Sequence, residues 1–369
     1  MRWTPAAGLF VVVVWTALRL GRVVPAVGGV SPFALLASAW ALLLAVELAR
    51  GAAWPRPDLA LVAGMTLLAL RGGWVDCVIL ALITFAVQSA RGASATRAAL
   101  ALVGVVLSAQ AVSFMMTTPP SAAVRDHRFG GLVGDPNEAA QRLVIVALSL
   151  LALWRTASSR VRGSVVALGA LVVQALVATA SRVGLVALLV LSLVVVVPIV
   201  RARRWVAVGG VLVATGVLAA MTPELVWHRL AALVLGDDGG HRWELVGRTW
   251  DLVRAHPLFG VGHGGFRLAT GALPEFRYAP HSLVLETAAE LGLFGLSVLA
   301  ALVWGLWRRL ASPEARAQPM AWAGLVTVVL GCLGPLEGRW LAVCVGVAAS
   351  EASRQRVHDG ASAPRVSPR

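Results

Sequence analysis

The sequence predicts an all-α, polytopic integral membrane protein with about twelve transmembrane helices. Of its 369 residues, 58% are hydrophobic and only 14% are charged, whereas about 25% of the residues in soluble domains are charged. The apolar residues are concentrated in long blocks, and a helix needs about 20 such residues to cross a bilayer. The composition therefore excludes an ordinary soluble protein.

The predicted spans are apolar blocks bounded by Arg, Gly and Pro. Block 58–70 is short for a full span and is compatible with a re-entrant segment. The first block follows Arg2 without a convincing small-residue cleavage site, so we expect it to remain as a span. The blocks lie near residues 6–24, 33–49, 58–70, 74–90, 97–117, 138–154, 163–180, 183–200, 204–221, 282–306, 319–334 and 338–352.

Arginine sets the predicted orientation. The net charge is +14, and all 32 basic residues are Arg because the sequence contains no Lys. Such a charge would favour nucleic-acid binding in a soluble chain, but here Arg lies mostly between apolar blocks, so we expect positive-inside topology and no nucleic-acid partner. The Arg-rich connections fall on the side of both termini, which this rule assigns to the cytoplasm. They are 155–162, 201–204, 308–316 and the tail from Arg354.

We expect a single membrane domain over residues 1–352 and a disordered cytoplasmic tail over 353–369. The extracytoplasmic side then carries residues 118–137 and one large loop, 222–280. Five of the seven His lie in or directly after that loop: His228, His241, His256, His263 and His281. The three Cys lack metal-ligand spacing, so neither a disulfide nor a zinc site is predicted. They are Cys77, Cys332 and Cys344.

A glycine-rich segment occupies residues 256–266, where Gly260, Gly262 and Gly265 have GxGxxG spacing. No strand–turn–helix unit surrounds it and no acid for a ribose follows, so a dinucleotide site is not expected. Two readings remain open. The segment is either a tight turn at the membrane surface or a nest of backbone N–H groups that faces a phosphate.

The residues just before it, 241–255, predict an amphipathic helix. At about 100° per residue, one face is apolar and the opposite face is charged. The apolar face holds Trp243, Val246, Trp250 and Val253, and the charged face holds Glu244, Arg248 and Asp251. Arg242 falls within the apolar face. Because a helix on a bilayer normally turns Arg to water, Arg242 is either frayed or directed at an anion.

A second candidate cation is Arg182, in the segment Thr179-Ala-Ser181-Arg182 between two apolar blocks. An Arg at the end of a span can extend to water. Alternatively, this short turn is set into the mouth of the bundle, where a guanidinium can bind a phosphate oxygen. Arg339 occupies a similar depth, and Glu337 is a candidate partner for it.

The tenth predicted span opens at Pro280-His281-Ser282 and continues through Glu286 and Glu290, which share one helical face. Glu290 lies about 13 Å along the helix from His281, where an ionised carboxylate has to face the bundle. His281 projects elsewhere in an ideal helix, so we expect no His281–Glu290 dyad. Glu290 is instead a structural partner for an Arg or a backbone group, and His281 is a cap or a base.

The sixth predicted span begins with Gly134-Asp135-Pro136-Asn137-Glu138. Asp135 as N-cap, Pro136 at the first helical position and Glu138 three residues after the cap satisfy the rules for a helix start. This arrangement leaves Asn137 available at the outer face.

Together these residues resemble the superfamily of O-antigen ligases and O-antigen polymerases, bacterial membrane proteins that transfer glycans. The matching pieces, in order, are Thr179-Ala-Ser-Arg182, Arg242 fifteen residues before Pro257-Leu-Phe-Gly-Val-Gly, and His281-Ser followed by Glu290-Leu-Gly292. They cover about residues 130–292. Two features depart from the family's pattern. Ser282 stands where the family more often has Asn, and the outer loop is compact for this family.

The resemblance implies a GT-C-like glycosyltransferase that needs no metal ion or other cofactor. It would move a glycan from undecaprenyl pyrophosphate onto a glycan or lipid acceptor at the outer face of the cytoplasmic membrane. Arg182 and Arg242 match the family's pyrophosphate-binding Arg residues, and His281 matches its catalytic His. We expect these to be supported by Ser181, Gly260, Gly262, Glu290 and Asn137. Whether the transfer is of the ligase or the polymerase type stays open, because the two differ in the acceptor.

Two other classes of membrane protein are alternatives to a glycosyltransferase. A transporter or flippase of a lipid-linked or small anionic substrate fits the many spans, and Glu290 could then couple transport to protons. The large outer loop and the lack of recognisable repeats between the halves argue against it. A membrane scaffold without activity does not account for the Arg and His on the outer face.

Overall fold

The computed structural model describes residues 5–18, 20, 59–71, 74–87, 90–117, 129–181, 183–184, 186, 240–270, 282–311, 318–333 and 340–348. Regular structure in these ranges is entirely helical. The helices are α1 (Pro5–Leu18), α2 (Leu59–Leu70), α3 (Trp74–Val87), α4 (Ala90–Thr117), α5 (Pro136–Thr156), α6 (Ser159–Ala178), α7 (Gly240–Ala255), α8 (Gly265–Thr270), α9 (Leu283–Arg309), α10 (Ala323–Leu333) and α11 (340–348). Short 3₁₀ turns at Gly131–Val133 and Pro319–Trp322 precede α5 and α10.

Four helices in this part of the chain are long and apolar enough to cross a membrane, namely Ser94–Phe114 within α4 and the whole of α5, α6 and α9. Leu9–Leu18, Leu59–Leu70 and Pro319–Cys332 are shorter apolar helices. The all-α prediction is therefore confirmed where the structure can test it. Predicted spans 33–49 and 204–221, most of 183–200, and the tail 353–369 lie outside the described residues. The total of about twelve spans and the GT-C-like arrangement remain predictions.

Helix α5 begins where its sequence predicts. The Asp135 carboxylate accepts hydrogen bonds from the N–H groups of Asn137 (2.8 Å) and Glu138 (3.0 Å), and Pro136 is the first helical residue. Helix α4, in contrast, starts at Ala90 rather than near residue 97. The polar first turns of α4 continue its backbone hydrogen bonding beyond the apolar block, which hydropathy alone does not detect.

The helices pack around one continuous apolar core, with α9 against α2 and α10, α1 against α4, and α4, α5 and α6 against one another. Small residues permit the closest approaches, as expected for helices in a bilayer. A Cβ on Gly305 of α9 would lie 2.6 Å from the backbone nitrogen of Ala60 in α2. A Cβ on Gly104 of α4 would lie 2.6 Å from a methyl group of Val146 in α5.

Exposed Trp residues lie beside Arg at the ends of two long helices. Trp154 is exposed near the end of α5, and the Arg162 guanidinium lies 6.0 Å from its ring centroid. Trp304 and Trp307 are exposed near the end of α9, next to Arg308. Trp and Arg at the ends of apolar helices are typical of a membrane interface. Cys77, Cys332 and Cys344 are all free cysteines in the structure.

Candidate functional site

Helix α9 is broken at Gly292, whose backbone angles (φ 62°, ψ −155°) are not helical. The break removes helical partners from the carbonyl groups before it and from the N–H groups after it. In an apolar environment such groups need replacements, and the glycine-rich segment 256–265 provides them. The N–H groups of Val261 and Gly262 donate to the carbonyls of Ala289 and Glu290, both at 2.9 Å.

The same segment also accepts hydrogen bonds from the second half of α9. The N–H groups of Leu293 and Phe294 donate to the carbonyls of Pro257 (2.8 Å) and Leu258 (3.1 Å). Four backbone hydrogen bonds therefore join the segment and the helix across the break. We call this arrangement the clamp: residues 257–262 of the glycine turn and residues 289–294 of α9.

Two glycines make the close approach in the clamp. A Cβ on Gly260 would lie 2.5 Å from the carbonyl oxygen of Ala289, and a Cβ on Gly292 would lie 2.5 Å from the carbonyl carbon of Leu258. Both glycines also have positive φ, as do Gly262 and Gly264, which only glycine adopts at little cost. The spacing noticed in the sequence thus reflects backbone conformation and backbone contact.

The hydrogen bonds of the glycine turn decide between the two readings of its motif. Five N–H groups in this segment donate within the protein: those of Gly260, Val261, Gly262, Gly264 and Gly265. Because these donors are already used, the structure favours the tight turn over a phosphate-binding nest. Gly260 and Gly262 therefore shape the turn.

Glu290 is buried (4% exposed) and is the polar centre of this region. Its Oε1 accepts a hydrogen bond from the Gly264 N–H (3.0 Å), which confirms the predicted backbone partner. Its Oε2 lies 3.4 Å from Nδ1 of His263. No helical spacing relates these two residues, because their contact joins the glycine turn to α9.

Glu286, one turn earlier on α9, forms a 3.0 Å ion pair with Arg71 at the end of α2. This contact holds the first turns of α9, which begin after the N-cap residue Ser282. His281 directly precedes that cap and lies outside the described residues. Arg71 was not recognised from the sequence, since it appears there as an ordinary Arg after an apolar block.

The turn that contains Arg182 is described on both sides of that residue, although Arg182 itself lies outside the described residues. Ser181 is buried (1% exposed), and its hydroxyl accepts a hydrogen bond from the Gly184 N–H at 2.8 Å. Ala180 has a positive φ of 42°, which is uncommon for a residue with a side chain. The turn is joined to the segment before α5, because the Phe129 N–H donates to the Ala178 carbonyl at 3.2 Å.

Helix α7 forms as predicted, and Arg248 and Asp251 are exposed as expected for its charged face. Trp250, predicted on the apolar face, is 54% exposed, and the Arg254 guanidinium lies 5.4 Å from its ring centroid. Its exposure is compatible with an aromatic residue at a membrane interface. Arg242 lies in the first turn of α7, but its side chain is outside the described part.

An ion pair that the sequence reading missed lies inside the bundle. Arg142 of α5 is fully buried, and its guanidinium lies 3.3 Å from the Glu138 carboxylate and 5.5 Å from the ring centroid of Trp340. The signal was available, because Glu and Arg four residues apart in an apolar helix share one face.

Residues 167–300 match the sequence profile of the O-antigen ligase family. The chain has no significant match among curated proteins. The matched range contains the Ser181 turn, α7, the glycine turn and most of α9, and it confirms the resemblance expected from the motifs. It supports a membrane enzyme of the glycosyltransferase type with a glycan-transferring role in the synthesis of cell-surface polysaccharide.

Proposed function

We propose that the protein transfers a glycan from undecaprenyl pyrophosphate onto an acceptor at the outer face of the cytoplasmic membrane. The observation that carries this proposal is the O-antigen ligase match over residues 167–300. Within that range, α7 and α8 pack on α9, and the clamp connects them. Both termini would lie in the cytoplasm, and the loop 222–280 would lie outside.

The proposed reaction is a substitution at C1 of the donor sugar. The acceptor oxygen forms a bond to C1 while the bond from C1 to the pyrophosphate oxygen breaks. The departing pyrophosphate carries the negative charge away, so cations at its oxygens lower the barrier. Arg182 and Arg242 are the proposed cations, because guanidinium groups match phosphate oxygens in geometry and charge.

His281 is the proposed base. It would take the proton of the attacking hydroxyl or orient that hydroxyl toward C1, since imidazole titrates near neutral pH. The Arg71–Glu286 ion pair supports this role by holding the start of α9, the helix that follows His281. Ser181 supports Arg182 by fixing the turn on both sides of it.

The direct test reconstitutes the purified protein in liposomes with undecaprenyl-pyrophosphate oligosaccharide and a set of glycan and lipid acceptors. A longer lipid-linked glycan identifies a polymerase, and glycan on another carrier identifies a ligase. Movement of the lipid-linked donor across the bilayer without a new glycosidic bond would instead identify a flippase and contradict the proposal.

The site assignment is tested with Arg182→Ala, Arg242→Ala and His281→Ala. Each should reduce transfer at least about a hundredfold, since removing one group that stabilises developing charge costs about 10²–10³ in rate. Arg248→Ala is the matched control, because Arg248 lies on the same helix as Arg242 but on its exposed, charged face. Transfer that survives all three substitutions in correctly inserted protein would refute the assignment. Full activity in the presence of EDTA is expected for a reaction that needs no metal.

A further inference from the structure

We propose that His263, held by Glu290, is a further substrate-contacting residue, whose Nε2 accepts a hydrogen bond from a hydroxyl group of a glycan substrate. The inference rests on the proposed function, because it assumes that a glycan occupies this face of the protein. It concerns a histidine in the glycine turn, 18 residues before His281 in the sequence.

Glu290 contacts three consecutive residues of the turn. Its backbone carbonyl accepts from Gly262 at 2.9 Å, its Oε2 lies 3.4 Å from Nδ1 of His263, and its Oε1 accepts from Gly264 at 3.0 Å. The backbone on both sides of His263 is therefore fixed to one buried residue. A side chain on such a support loses little freedom when it binds a ligand.

The contact with Glu290 also gives the imidazole a direction in the proposed complex. In the proposed complex the Nδ1–H of His263 faces Oε2 of Glu290, since a carboxylate oxygen accepts hydrogen bonds. In the neutral ring, Nε2 then keeps its lone pair and is an acceptor. A sugar hydroxyl is a donor that matches it.

The surroundings leave room for a ligand. The His263 side chain is 53% exposed while its partner Glu290 is only 6% exposed. A Cβ added to Gly262 or to Gly264 would meet no atom of the described residues within 4 Å. Within that part of the chain, the turn presents a fixed imidazole with open space on both sides of it.

A purely structural function explains Glu290 but not the imidazole. The Gly264 N–H and the clamp satisfy the turn without any side chain at position 263. A contact between a half-exposed side chain and a carboxylate contributes about 1 kcal/mol or less to stability. The side chain at position 263 is therefore better explained by contact with a ligand than by support of the fold.

The test measures KM and kcat separately for the lipid-linked donor and for the acceptor in wild type, His263→Ala, His263→Gln and Glu290→Gln. Loss of one neutral hydrogen bond should raise KM about threefold to tenfold for the substrate that His263 contacts. The substrate whose KM rises identifies the contacted glycan as donor or acceptor. His263→Gln should recover part of the loss, since its amide oxygen also accepts. His256→Ala is the matched control, an exposed His of the same segment, and should leave both KM values unchanged.

Glu290 is a positioning residue in this proposal, so its effect has to pass through His263. Glu290→Gln should raise the same KM in wild type and add nothing to it in the His263→Ala background. The inference would be overturned by unchanged KM values in His263→Ala, or by an equal effect of Glu290→Gln in wild type and in the His263→Ala background. The proposed function would not be affected by either result, because it depends only on glycan transfer by wild type.

If wild type makes no product from any donor, the proposed function fails, and the inference is decided by binding. The probe is then the free oligosaccharide released from the donor, titrated into fluorescently labelled protein. Binding about threefold to tenfold tighter to wild type than to His263→Ala supports the contact. Equal binding, or none, overturns it.

Discussion

Replacing Gly292 by Ala should open the clamp. The backbone at Gly292 has φ 62° and ψ −155°, a region reached almost only by glycine and costing about 1–3 kcal/mol for other residues. The new Cβ would also lie 2.5 Å from the carbonyl carbon and 2.6 Å from the carbonyl oxygen of Leu258. These are backbone atoms, so the glycine turn as a whole has to move away from α9.

That movement lengthens the two hydrogen bonds that follow Gly292, from Leu293 to Pro257 and from Phe294 to Leu258. A buried polar group that loses its partner costs about 1–3 kcal/mol, which gives about 2–6 kcal/mol for the two. Together with the backbone strain, Gly292→Ala should destabilise the clamped state by about 3–9 kcal/mol. Since about 1.4 kcal/mol is a factor of ten, the clamp should open at least about a hundredfold more often.

Hydrogen–deuterium exchange measured by mass spectrometry on peptides from residues 257–265 and 289–294 reports this opening. Substitutions at two other glycines separate the effect of backbone strain from the effect of the contact with Leu258. At Gly262 the φ of 83° is positive but no described atom lies near the new Cβ, and at Gly247 in α7 there is neither a positive φ nor a described atom within 4 Å. We expect exchange of these peptides to be fastest in Gly292→Ala, slower in Gly262→Ala and slowest in Gly247→Ala. Exchange of both peptides in Gly292→Ala that is as slow as in Gly247→Ala would refute the clamp.

Two further features, both in α5, are tested by titration of helical circular dichroism with SDS in mixed micelles. Asp135→Ala removes the acceptor for two N–H groups at the start of α5 and should lower the free energy of unfolding by about 0.5–2 kcal/mol; an unchanged midpoint contradicts the cap. Arg142→Met leaves Glu138 in a buried site and should cost about 3–5 kcal/mol, whereas Glu138→Leu combined with Arg142→Met should cost less. Equal losses in the single and double variants would show that the buried pair is not what stabilises this part of α5.

Local features of the fold were predictable from the sequence. The start of α5 followed from Asp135 and Pro136, because capping depends on residues within one turn. Helix α9 begins at Leu283 and α7 at Gly240, each within a residue of the predicted start. These elements are encoded by periodicity and caps, which the sequence displays directly.

The clamp could not be predicted in the same way. Gly292 lies inside a helical pattern, where an isolated glycine is usually tolerated, and nothing local shows that the helix breaks there. The partner segment lies about 30 residues earlier, so no helical spacing relates it to Glu290. Glu290 was correctly expected to bind a backbone group, but His263 was not recognised as its neighbour for this reason.

The clamp also connects the two helices that lead to the proposed site residues Arg242 and His281. Arg242 lies 13 residues before Ala255 on α7, about 20 Å along that helix, and α7 leads directly into the glycine turn. Ser282, which follows His281, lies about 12 Å from Glu290 along α9. Both helices therefore extend from one joint, and this joint orients α7 and the first turns of α9. Opening this joint should displace the proposed catalytic groups without touching them, so Gly292→Ala should reduce glycan transfer even in protein that remains inserted and helical.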